Sequence, residues 1–196
     1  YHNGGKIIIG PRDHQLYVVI GDLNAPDTVM HNYKYGKKSN YSSVILRIDP
    51  LTGSPSVGNP FISDGHGITD NNHKDLEYCY AYGIRNSFGL SFDSVTGILW
   101  DTENGENTYD EINTVKPGFN SGWDKVMGPI SRNNDTSIES RLFDLPGSYY
   151  SDPRFSWRIP IGVTAIEFFN SSIIGKEYKN NIFVGELIMA ISTIFE

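Results

Sequence analysis

Apolar and polar residues alternate in short runs along this chain, and the runs pair. Three stretches share one pattern: Lys6 to Asp22, Phe88 to Gly105, and Thr164 to Glu186. Each has an apolar strand, a turn carrying Gly, Pro, Asp or Asn, a second strand, and then Gly or Asn beside an acid. Period-two patterning broken by such turns predicts a β-hairpin, here in three copies. Further strands are expected between the copies, at Ser43 to Pro50 before the Leu51-Thr52-Gly53 turn and at Glu111 to Val115 before Pro117-Gly118. Copies beginning at residues 6, 88 and 164 are spaced more widely than the roughly 40 to 45 residues of the tryptophan-aspartate repeat. Two hairpins per repeat make a four-stranded antiparallel sheet, and such sheets arranged radially are the blades of a β-propeller, whose strand edges stay short and protected. The expectation is an all-β partial propeller domain over 1–196 holding about two to three blades, with a β-sandwich as the competing architecture.

Composition agrees. With 20 Gly and 10 Pro among 196 residues and 13% aromatics, short strands and turns are favoured over long helices. Sixteen Lys and Arg against 23 Asp and Glu give a net charge of -7, which argues against nucleic acid and anionic lipid as partners. No uncharged apolar run approaches the roughly 18 residues of a membrane span. The single cysteine, Cys79, rules out an intrachain disulfide and reads as a small buried hydrophobe. The sequence opens without a start Met or leader pattern and stops inside the apolar stretch 182–195, so it is expected to be a segment of a longer polypeptide.

Candidate chemistry falls at the hairpin ends. His2 precedes the first strand and Asp22 follows the second, so an antiparallel hairpin brings them to the same end of one sheet. A histidine beside a carboxylate is an oriented general base, although such a pair is also a common loop hydrogen bond. Arg85 and Asn86 lie on the turn entering the second hairpin, where a guanidinium can grip a carboxylate or polarise a carbonyl, or simply form a surface ion pair. The oxygen-rich stretch from Asp101 to Asn113 suits calcium in composition, without the spacing of an EF-hand, and suits a solvated loop equally. No Gly-x-Gly-x-x-Gly stands between a strand and a helix, so a nicotinamide cofactor is unsupported. His66 and His73 are too irregularly placed for a zinc pair, and His14 and His31 carry no assignment. Asn40, Asn134 and Asn170 open glycosylation-type triplets.

The segments HNGGKIIIGPRDHQLYVVIGD (2–22), YGIRNSFGLSFDSVTGILWDTENG (82–105), YDEINTVKPGFNSGW (109–123), FSW (155–157) and NNIFVGEL (180–187) resemble the soluble pyrroloquinoline quinone (PQQ) dependent glucose, aldose and sorbosone dehydrogenases. The resemblance is in order and in register over most of the chain. It implies a six-bladed propeller of roughly twice this length, with quinone and sugar in a cleft at the top of the ring. His2 would then be the base that takes the sugar hydroxyl proton, with Asp22 its neighbour. Arg85 would contact the reactive quinone carbonyl, and Asn86 the cofactor beside it. The carbonyls of Gly105 and Glu106 would hold the calcium that anchors PQQ.

The resemblance further implies an aldose substrate, an external electron acceptor and a periplasmic or extracellular location, while an incomplete ring with open edges makes a homodimer possible. Trp123 and Trp157 look like packing residues. The family often has Pro-Gln after Arg-Asn, where this chain has Ser87-Phe88, and Gly-Pro in the metal loop, where it has Gly105-Glu106. The basic residue expected after the FVGEL strand is replaced by Leu187-Ile188-Met189. These departures leave a second reading, a non-catalytic propeller module that presents its loops to a protein or carbohydrate.

Overall fold

A computed structural model describes residues 1–25, 27–36, 41–62, 74–132, 135, 137–187 and 193–195. His66, His73, Asn40, Asn134, Ile188 and Met189 lie outside the described residues. The described residues form thirteen short strands joined by turns and brief 3-10 segments. Among the described residues, no helix is long and apolar enough to cross a membrane.

The first hairpin is β1 (Ile7–Ile9) paired antiparallel with β2 (Leu16–Ile20), and β3 (Val44–Ile48) and β4 (Cys79–Tyr82) continue the same sheet. The second is β5 (Ser87–Phe92) with β6 (Leu99–Glu103), extended by β7 (Asp110–Val115). Two short strands, β8 (Phe119–Asn120) and β9 (Tyr149–Tyr150), add to β4 in parallel, so the first sheet has six strands in the order β1-β2-β3-β4-β8-β9. With β10 (Phe155–Trp157) beside β7, the second sheet has the four antiparallel strands expected of a blade. The third hairpin, β11 (Val163–Phe169) with β12 (Asn181–Glu186), is followed by β13 (Thr193–Phe195). Three successive sheets from three hairpins are the propeller segment that the pattern predicts. Two-residue strands carry no period, which is why β8 and β9 are invisible in the sequence.

Local chemistry explains the hairpins. At the β5–β6 turn the Asp93 carboxylate accepts the Val95 amide at 2.8 Å, and the Gly97 amide donates to the Asp93 carbonyl at 2.7 Å. Gly97 takes φ +73°, a conformation that glycine adopts without steric cost.

The core lies between the sheets. Tyr17, Val19 and Ile45 of the first sheet pack with Leu90, Leu99 and Val115 of the second. Ile112 packs with Val163, Ile166 and Val184 of the third. β5 packs against both neighbours, with β11 on one side and β2 on the other. Leu90 is 1% exposed, so Leu90→Ala would cost about 2–5 kcal/mol. Trp157 packs on the second of these clusters, as expected. Cys79 is buried, its thiol donates to the Ala81 carbonyl, and burial pushes its pKa up, so it is an inert hydrophobe.

Candidate active site

The first hairpin positions His2, the candidate base. Gly5 donates its amide to the Val19 carbonyl at 3.0 Å, which folds the segment ahead of β1 back over the end of β2. His2 thereby meets Asp22, with Nδ1 and Oδ1 2.7 Å apart. The Asp22 side chain is 7% exposed and the His2 side chain 22%. Asp22 Oδ1 also accepts the Asn24 amide at 3.0 Å, which fixes the carboxylate rotamer. A carboxylate on Nδ1 holds the proton there and leaves Nε2 as the basic nitrogen. A Cβ on Gly21 would collide with the carbonyl oxygens of both His2 and Arg85, so glycine is what lets these backbones touch.

The β4–β5 connection delivers the guanidinium. Arg85 is 8% exposed, and its carbonyl accepts the Asp22 amide at 2.8 Å. Its Nη1 donates to the carbonyls of Asn104 and Gly105 at 2.9 and 2.8 Å, and its Cζ lies 5.2 Å from the centroid of the Trp123 ring. Trp123, expected in the packing, is therefore a neighbour of the candidate site: its amide donates to the Gly83 carbonyl at 3.0 Å, two residues before Arg85. Asn86, 9% exposed, shares its carbonyl with the Asn104 amide at 2.9 Å. Arg85 Nε and Asn86 Oδ1 are buried and have no hydrogen-bond partner among the described residues. A buried donor and a buried acceptor left unpaired on the turn whose backbone meets Asp22 fit a polar ligand such as a quinone.

The stretch expected as an oxygen-rich loop is instead mostly strand. Asp101 and Glu103 lie on β6, Asp110 and Glu111 on β7, and only residues 104–109 turn between them. Asp110 is fully buried and locks this turn. Its Oδ1 accepts the Gly105 amide at 3.0 Å, and its Oδ2 accepts the amides of Ile161, Gly162 and Val163 at 2.8, 2.7 and 3.3 Å. A Cβ on Gly105 would collide with the Thr108 and Tyr109 carbonyls. Glu106 is exposed. Among the described residues there is no group of three or more His, Cys, Asp or Glu side chains placed to hold a metal, so a cation here would rely on main-chain carbonyls. The Gly105 carbonyl already accepts from Arg85, and its second lone pair leaves room for one further partner.

Cross-strand pairing of Glu103 with Glu111, and of Asp101 with Asn113, puts three carboxyl groups on one buried face. Burial pushes Glu103 up to about 7, against the Arg85 amide and Ser121 hydroxyl that favour its anion. Burial and the Glu103 charge push Glu111 up to about 8. Asp101 stands well above the ordinary carboxylate range, chiefly through burial and then through the charges of Glu103 and Glu111. Sequence reasoning missed this cluster because the acids read as loop residues.

It also left His31 unassigned. His31 is 5% exposed, its Nε2 is 3.3 Å from Ser42 Oγ, and burial lowers its pKa against the pull of Asp22. A separate cleft of about 450 Å3 lies at the far end of β6, against Asp93, Trp100, Phe155 and Phe168, and none of the candidate site residues lines it.

The model for the glucose/sorbosone dehydrogenase family matches residues 1–193. Aldose sugar dehydrogenase YliI of Escherichia coli is 25% identical over 95% of this chain and 45% of its own length. Quinoprotein glucose dehydrogenase B of Acinetobacter calcoaceticus is 33% identical over 65% of this chain and 27% of its own. The solved PQQ-bound aldose sugar dehydrogenase of Streptomyces coelicolor superposes with a TM-score of 0.64 at 25% identity, covering all of this chain and 49% of that one. The chain thus spans about half the length, or less, of the relatives it matches. From the matched family model and the shared all-β fold, the chain belongs to the glucose/sorbosone dehydrogenase family.

Proposed function

We propose that this chain forms the base-bearing part of a PQQ-dependent sugar dehydrogenase that oxidises an aldose. The observation that carries the reading is the backbone junction that links an oriented imidazole to a buried arginine: His2 is held by Asp22, and Asp22 is held in turn by the backbone of Arg85. Arg85 and Asn86 would hold the quinone, supported by the open Nε and Oδ1, and the carbonyls of Gly105 and Glu106 would serve calcium. PQQ, when bound, supplies a hydride acceptor, which no side chain can be. The residues of this chain do the rest. His2 Nε2 takes the hydroxyl proton as the adjacent C–H gives up its hydride, and Asp22 stabilises the imidazolium that results. Arg85 directs positive charge to where negative charge develops on the acceptor. An external oxidant then receives the electrons, and a periplasmic or extracellular setting suits the family.

The test adds PQQ and calcium to the full polypeptide and follows reduction of an artificial dye with a panel of aldoses. Sugar-dependent dye reduction is expected. A polypeptide that binds sugar without any turnover, or without a quinone spectral change, would be the non-catalytic module instead.

A further inference from the structure

Glu103 closes a ring of contacts around Arg85. It ends β6 with its side chain fully buried, and its two oxygens go to different elements. Oε1 accepts the Arg85 amide at 2.6 Å, and Oε2 accepts the Ser121 hydroxyl at 2.6 Å. Ser121 stands two residues before Trp123, on whose ring the Arg85 guanidinium lies. One carboxylate therefore fixes both the backbone from which the arginine springs and the segment bearing the surface on which it rests. Burying an anion is costly, and a well-packed apolar residue would stabilise the fold as well or better. No Lys or Arg side chain is hydrogen-bonded to Glu103 among the described residues; its partners are one amide and one hydroxyl. Such short charge-assisted bonds in a dry interior are directional, and they restrict where the next side chain can go.

We propose that Glu103 is a positioning residue: it sets the direction of Arg85 toward the cofactor by bracing the Arg85 amide and the Ser121–Trp123 segment together. The proposal rests on the reading of Arg85 as the arginine that faces the quinone. Glu103 itself touches neither sugar nor cofactor.

The experiment compares the wild-type polypeptide with Glu103→Gln, Glu103→Ala and Ser121→Ala, each labelled with 15N-arginine and titrated with PQQ in the presence of calcium. Arg85 signals are identified by their loss in Arg85→Lys. In the wild type the Arg85 amide proton should resonate downfield, as expected for a donor to a carboxylate. Glu103→Ala should move it upfield and weaken PQQ binding by about tenfold or more. Glu103→Gln keeps an acceptor for the amide and should restore affinity to within about threefold of wild type. Should Glu103→Ala fail to fold, Ser121→Ala removes one of the two bonds and should lower affinity severalfold with the Arg85 amide signal retained. Unchanged PQQ affinity in Ser121→Ala and in every folded Glu103 variant would overturn the proposal, as would a Gln variant no better than Ala. If the wild type binds no PQQ at all, the functional reading fails separately. The Arg85 Nε–H signal, compared between wild type and Glu103→Ala, or Ser121→Ala where the former does not fold, then decides whether Glu103 orients the arginine, and an unmoved signal overturns that role.

Discussion

The amide of Asp22 donates to the carbonyl of Arg85 at 2.8 Å, joining the loop after the first hairpin to the loop before the second. The candidate base and the candidate cation therefore share one backbone junction. A change in either loop should be felt in both.

Removing the base should separate chemistry from binding. His2→Ala is expected to lower kcat by about 10²–10⁴-fold while PQQ affinity stays within roughly tenfold, because the imidazole acts mainly in the transition state. Asp22→Asn should lose kcat on a similar scale, since an amide facing Nδ1 favours the tautomer with its proton on Nε2. Steady-state kinetics beside a PQQ titration would check both, and a His2→Ala enzyme with near-normal kcat would remove histidine from the mechanism.

Asp110→Ala should unlock the turn that carries Gly105. It strands four amides that now share one buried carboxylate, so a loss of about 3–5 kcal/mol in unfolding free energy is expected. Calcium affinity, followed by titration of the folded variant, should fall with it. Denaturant midpoints within error of wild type would show that the carboxylate does not hold the turn.

Gly21→Ala places a methyl group against the His2 and Arg85 carbonyls. The two backbones must separate, at a cost of about 1–3 kcal/mol in stability. Turnover should fall more than stability alone explains, because the separation moves base and cation apart. Thermal melts and kcat measured on the same preparation would show this.

The pH dependence of stability has a definite sign. Glu111 titrates at about 8 in the fold and near 4.5 when unfolded, so the folded chain holds more protons across that interval. Its contribution is complete below about 4.5 and is lost as pH rises through about 8. Asp101, also raised, acts in the same direction. His31, with its pKa lowered, opposes this only below its ordinary value of 6.5. Denaturant midpoints should therefore drop from pH 6.5 to 8.5, and Glu111→Gln should flatten that slope. A midpoint that rises over the interval would contradict the assignment.

Some of this was legible in the sequence and some was not, for reasons that lie in particular residues. The hairpins follow from period-two patterning and Asx-type turns such as Asp93 to Gly97. The meeting of His2 and Asp22 follows from them, because an antiparallel hairpin must bring its two ends together. Arg85 and Trp123 are different: they are 38 positions apart, on connections of different strands, and no local pattern relates them. Glu103 and Asp110 were hidden by their chemistry, since carboxylates at strand ends read as solvent-facing until the tertiary structure supplies amides to bury them. The oxygen-rich stretch misled for the same reason.

The imidazole stands on the segment 2–6 ahead of β1, which is held by the Gly5 amide, the Lys6 carbonyl and the Asp22 carboxylate, whereas the guanidinium is buried against the Asn104 and Gly105 carbonyls and the Trp123 ring. Local opening costs little where few contacts must be broken. On the proposed reading, heating the full polypeptide should release His2 from Asp22 before the sheets melt, so that the temperature ending turnover lies below the one that erases the β signal.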